Sequence, residues 1–180
     1  MPAYVQSSKP FIVRDATRSD VIAIMRLKVE LAVSDDILDT VKASAADWER
    51  DSFGPNAHFT IFVAEWAGRV VGMAICGDRY FPGWVGPTIM LLDLCVEKKF
   101  RGRGVGTALL ARVAELAKAK NSVMIELTMR AGNSAARLYE RLGFVHLPEV
   151  KNYIIAGDAL ERLPAPAAQV VDKPAERLAG

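Results

Sequence analysis

Cysteine is nearly absent: Cys76 and Cys95 are the only two in 180 residues, and both sit inside apolar runs, so no disulfide framework is implied. Histidine is as scarce. His58 and His146 lie too far apart in sequence to suggest a metal site or a catalytic triad, and no metal is expected. No apolar run approaches the roughly 18 residues of a membrane-spanning helix. Met1 to Lys9 contain no apolar stretch of the kind that directs secretion. An excess of charge is missing too: 23 Lys and Arg against 21 Asp and Glu leave +2. That balance excludes an acidic solvating tail and argues against a strongly basic nucleic-acid binder. Apolar residues, in contrast, make up 51% of the chain, enough for one sizeable core. The expectation is one cytoplasmic domain with neither nucleic acid nor membrane as partner.

Residues 1–10 are expected to be disordered, 11–160 to form the domain, and 161–180 to be a flexible Pro/Ala-rich tail. Phe11–Arg14 is a short β-rich run. Thr17 and Asp20 stand at capping-box spacing, ahead of Ile22, Met25, Val29 and Ala32/Val33 at helical spacing, so 19–33 reads as an amphipathic helix. A second helix is expected over 40–52. Three β-rich runs follow at 59–66, 69–77 and 88–96, the first two joined by a hairpin turn at Trp66-Ala67-Gly68-Arg69. Residues 104–119 form the clearest helix, with Val105, Leu109, Val113 and Leu116 on one face. A strand is expected over 122–129, a helix from Asn133 to Leu142-Gly143, and a last strand near 150–156. This order predicts an α/β domain built on a mixed sheet.

Most of the chemistry is concentrated in Leu91–Thr107. A strand runs into a glycine-rich turn, and the turn opens a helix whose first N–H groups and positive dipole end point at one place. Gly102, Gly104 and Gly106 carry no side chains to hold a phosphate away from that backbone. Lys98, Lys99, Arg101 and Arg103 put four cations within six residues. Together these define a phosphate site. A dinucleotide fingerprint does not fit, because counting on from Gly102-Arg103-Gly104 puts Thr107 at the third glycine. A Walker A loop fails as well, since no Gly-Lys-Ser/Thr follows.

Arg101-Gly102-Arg103-Gly104-Val105-Gly106 resembles the acyl-CoA pyrophosphate loop of the GNAT superfamily of N-acetyltransferases. Ala135, Leu138-Tyr139-Glu140 and Leu142-Gly143-Phe144 resemble that family's late helix, and Arg14–Asp20 its first strand and turn. Met25–Ala32, Phe53-Gly54, Pro82–Gly86 and Asp93 are similar to the diamine (spermidine/spermine) acetyltransferase branch. That branch carries Glu-Asp on the fourth strand where this chain has Leu92-Asp93, one carboxylate fewer.

The resemblance implies a single-domain, mostly antiparallel sheet of six or seven strands with helices on both faces, splayed beside the acyl-CoA loop. It implies acetyl-CoA as co-substrate, a small-molecule amine as acceptor, and a homodimer. Leu94 and Val96 would bond the pantetheine arm, the N–H near Cys95 would face the thioester oxygen, and Cys95 and Arg101 through Thr107, including Val105, would hold the cofactor together with Asn133. An amine with a typical pKa of about 10.4 must lose a proton before it attacks, and the departing thiolate must gain one. Tyr139 is chosen for the second role, against a reading as a packing aromatic. Asp93, in an apolar run, is either a catalytic or ammonium-binding carboxylate or the anchor of a turn or an arginine. Cys95 reads as a small buried hydrophobe rather than an acyl-carrying nucleophile. Glu30, Asp35, Trp84 and Leu92 are candidate acceptor contacts. Two alternatives stand beside the small amine: a protein lysine or N-terminus as acceptor, and a CoA-binding module without catalysis.

Overall fold

A computed structural model describes residues 10–84 and 86–162, apart from the side chains of Phe81, Trp84 and Glu161. Of the two expected flexible ends, 1–10 and 161–180, residues 1–9 and 163–180 lie outside the described residues, and residue 161 closes the helix Asp158–Glu161. The elements run β1 (Phe11–Asp15), α1 (Val21–Ser34), α2 (Ala45–Phe53), β2 (Thr60–Trp66), β3 (Arg69–Phe81), β4 (Gly86–Val96), α3 (Val105–Ala119), β5 (Met124–Leu127), α4 (Ala136–Arg141) and α5 (Asp158–Glu161). No helix among the described residues is long and apolar enough to cross a membrane.

The strands form one mixed sheet in the order β1-β2-β3-β4-β5. The first four pair antiparallel, and β5 joins β4 in parallel. The β2–β3 hairpin turns where expected, with Trp66 opposite Arg69. Five strands are present among the described residues, not six or seven. Residues 151–156 form no strand, and Tyr153 and Ile154 are 85% and 89% exposed. Their β-branched and aromatic character favours a strand only when a neighbouring strand accepts it, and none does here.

Helices cover both faces of the sheet, as expected. On one face, Val105, Leu109 and Val113 of α3 pack against Phe62, Ala64, Val71, Ala74 and Leu91. On the other, Ile24 and Leu27 of α1 pack against Ile61, Val63, Met73, Ile75 and Cys95. The phase of α1 differs from the expected one. Its buried stripe is Val21, Ile24, Leu27 and Ala32, whereas Ile22 and Val33 are 71% and 60% exposed. The helix, VIAIMRLKVELAVS, is apolar on more than one side, so spacing alone admits two stripes. Packing on the sheet selects the one that also carries Lys28, one turn beyond Ile24.

A buried ion pair sets the entry to α1. Asp20 accepts hydrogen bonds from the Arg14 guanidinium at 2.7 and 2.9 Å and from the Thr17 N–H at 2.8 Å. The Arg14 hydrogen bond leads the causes that hold its carboxyl at about 2, below the ordinary 3.8. Asp20→Asn is expected to cost ~2 kcal/mol and to lower Tm by about 4–8 °C at pH 7. A depressed carboxyl contributes stability above its unfolded value and loses it as pH falls through the folded one. The gap in Tm between parent and variant should therefore close between pH 4 and pH 2. A gap that persists at pH 2 in thermal denaturation would contradict this.

Candidate active site

The sheet opens at its β4–β5 edge. The two strands pair from Thr88 opposite Met124 to Leu91 opposite Leu127. There β5 ends, while β4 runs on to Val96, paired on its other side with β3. The backbone from Leu92 to Val96 is thus left without a strand neighbour on the open side. A cleft of about 970 Å³ occupies the gap, bounded by Asp93–Val96, Arg101 and Thr107 on one wall and by Arg130, Asn133 and Tyr139 on the other.

One end of the cleft has the geometry of a candidate anion seat. Gly102 and Gly104 have φ of 73° and 83°, and a Cβ built on either would meet nothing within 4 Å. Gly104 stands at the N-cap of α3, where a left-handed conformation lets the chain turn directly into the helix. The Ala108 N–H is the first to bond back along the helix, to Gly104 at 3.0 Å, so the amides of Val105, Gly106 and Thr107 fall among those that an α-helix cannot satisfy internally. Of the four cations counted in the sequence, only Arg101 lines the cleft, and its Nε donates to the Val96 carbonyl at 2.7 Å. Arg103 lies over the Trp66 ring at 5.5 Å, and Lys99 over Phe100 at 5.1 Å. Val105 is buried in the core.

Glu97, which the sequence did not single out, anchors the base of this loop. It is 5% exposed, and its carboxylate takes Arg69 at 2.7 Å and Arg26 besides. Glu30 sits nearby and not in the cleft: it accepts the Lys98 N–H at 3.2 Å and lies 3.8 Å from Arg101. Its geometry supports the loop and places no carboxylate where an acceptor would lie.

Carboxylates and a phenol gather at the other end. Asp93 faces α1, and both its oxygens accept hydrogen bonds from the Lys28 ammonium, at 2.8 and 2.7 Å. Asp35, at the end of α1, accepts from Asn133 Nδ2 at 3.2 Å, which ties α1 to the segment ahead of α4. Leu92 lines the cleft and is 46% exposed. The Trp84 backbone closes a single 3-10 turn, Pro82–Trp84, and its side chain lies outside the described residues.

Close packing brings α4 to the anion seat. A Cβ on Gly106 would stand 3.3 Å from Leu138, so α4 docks on the first turn of α3 with Tyr139 beside it. The Tyr139 ring packs edge-on against Phe144 at 5.5 Å. Burial first, then the charges of Asp35 and Asp93, push its hydroxyl up to about 12, so it keeps its proton through the neutral range. The Cys95 thiol is also pushed up to about 12 by burial, which leaves it unreactive.

A parted strand pair beside a helix start with free amides is a frame that suits an acyltransferase drawing on a phosphate-bearing thioester. Residues 30–144 match the acetyltransferase (GNAT) family. The chain belongs to that family and is an acyl-CoA-dependent N-acetyltransferase. It is 33% identical over 162 residues to the thialysine N-epsilon-acetyltransferase of Mus musculus, covering 84% of this chain and 95% of that one. It is 34% identical over 114 residues to spermidine/spermine N(1)-acetyltransferase-like protein 1 of Homo sapiens, covering 59% of this chain and 16% of that one. Among solved structures, an integron cassette protein from the mobile metagenome of V. cholerae aligns with a TM-score of 0.70 at 19% identity, over 86% of this chain and 97% of that one. An aminoglycoside acetyltransferase from an uncultured soil metagenomic sample aligns at 0.67 and 22%, over 82% and 98%. At those identities the likeness is one of fold.

Proposed function

We propose that the protein moves the acetyl group of acetyl-CoA directly onto the primary amine of a small molecule, with Tyr139 as the acid that serves the departing sulfur. The observation that carries this is the presence in one cleft of an anion seat, a free strand edge, and a phenol flanked by two carboxylates. The open space at Gly102 and Gly104 fits a pyrophosphate, and Arg101 is at hand to neutralise it. Bound acetyl-CoA supplies an activated thioester.

The chain's own residues do the rest. Leu94 and Val96 hold the pantetheine arm along the free β4 edge as an added strand. For Val96 this requires Arg101 to swing from its carbonyl toward the phosphates. The Cys95 N–H points at β3, where Met73 stands opposite, so the N–H that polarises the thioester oxygen is the one beside it on the free β4 edge. Asp35 and Asp93 bound the acceptor end. The acceptor's ammonium first loses one proton to solvent, and the neutral amine nitrogen then bonds to the acetyl carbon as the carbon–sulfur bond breaks. Tyr139 gives its proton to the sulfur and recovers one as the amine sheds its surplus proton. The net products are the acetamide, free CoA and one proton.

A free-thiol assay tests this with acetyl-CoA and a panel of lysine, thialysine, spermidine, an aminoglycoside and a lysine-containing peptide. CoA release is expected with a small amine and not with the peptide. Release with the peptide alone would replace the small-amine reading with a protein substrate.

A further inference from the structure

We infer that Lys28 selects the acceptor: its ammonium occupies Asp93 from behind, so the cleft takes an amine of amino-acid type, whose carboxylate leaves a single net positive charge, and turns polyamines away. This rests on the acetyltransferase reading of the cleft.

Lys28 stands where a lysine should not be. Lys28 lies one turn beyond Ile24 and one turn before Ala32, and both of those are buried against the sheet. An ammonium drawn into that stripe must be compensated. Asp93 compensates it, with contacts at 2.8 and 2.7 Å between side chains only 25% and 13% exposed. Asp93 lines the cleft; Lys28 does not. An acceptor therefore meets a carboxylate whose charge is already balanced from the α1 side.

The other charged groups lining the cleft point the same way. They are Arg101, Arg130, Arg137 and Arg141 against Asp35 and Asp93. Asp35 is shared with Asn133. A polyamine gains affinity by setting several ammonium groups on uncompensated carboxylates, and here one of two is taken by an internal ammonium that repels the incoming one. Lysine or thialysine brings one amine to the thioester, and its second ammonium comes with a carboxylate that offsets it and that Arg130, Arg137 and Arg141 tolerate.

The test replaces Lys28 by methionine, which keeps much of the apolar stem and removes the charge. In Lys28→Met, kcat/KM for spermidine should rise at least tenfold relative to that for lysine or thialysine, with KM for acetyl-CoA unchanged. Titration calorimetry reads the same effect without catalysis. Spermidine should bind Lys28→Met at least tenfold more tightly than the parent, and Asp93→Asn in that background should reverse the gain. Lys28→Arg should retain the parental preference, which keeps the inference falsifiable if the methionine variant folds poorly. An unchanged preference and unchanged spermidine binding in Lys28→Met, or spermidine acceptance by Lys28→Arg, would overturn it. If no amine in the panel makes the parent release CoA, while Lys28→Met still gains spermidine binding, the transferase reading fails and only the charge balance between Lys28 and Asp93 stands. CoA release with a preference that Lys28→Met does not alter would do the reverse.

Discussion

Tyr139→Phe is expected to lower kcat at least tenfold while leaving acetyl-CoA affinity within twofold. The substitution removes one hydroxyl and keeps the ring that packs on Phe144, so the fold and the anion seat are untouched. A tenfold loss corresponds to about 1.4 kcal/mol of transition-state stabilisation. With its hydroxyl near 12, Tyr139 remains protonated at every pH where the enzyme is assayed. The parent's kcat should accordingly show no descending limb from this residue below about pH 10, since a raised value defers loss of the proton to higher pH. Steady-state kinetics and a calorimetric Kd decide the point. An unchanged kcat would remove Tyr139 from the mechanism.

The second large effect belongs to the anion seat. Gly104→Val forces a β-branched residue into a φ of 83°, a conformation that costs an L-residue ~1–2 kcal/mol even without the branch. The loop will relieve that strain by rotating its amides away from the helix start. Acetyl-CoA Kd should rise at least tenfold, with kcat at saturation little changed. Arg103→Ala, which removes a cation stacked on Trp66 and outside the cleft, should change Kd less than threefold. Equal losses in the two variants would mean that bulk positive charge, rather than the placed backbone, binds the phosphates.

The glycine turn from β4 into α3 was legible because several local signals coincide there: a strand end, glycines and a helix start within a few residues. The β2–β3 turn and the buried face of α3 were legible for the same reason. Side-chain destinations were not. Four cations in six residues suggested four phosphate ligands, yet Arg103 and Lys99 find aromatic rings within reach and only Arg101 lines the cleft. The phase of α1 was ambiguous because its apolar residues cover more than one face. That ambiguity hid Lys28, although a lysine four residues after one apolar position and four before another is the signal that could have found it. Asp93 was expected to need a partner or a function, and the ion pair supplies the partner. The missing strand near 150–156 shows propensity without a neighbour to pair with.

Direct transfer, with no acyl-enzyme, is decided by where an isotopic label goes. Enzyme, acetyl-CoA labelled in its acetyl group, and thialysine or lysine are mixed for less than one turnover, and protein and small molecules are then separated. The label should appear on the amine and never on the protein, because Cys95 is buried with its thiol held protonated and Tyr139 only donates a proton. Label retained on the protein, and passed to the amine in a second step, would contradict the account.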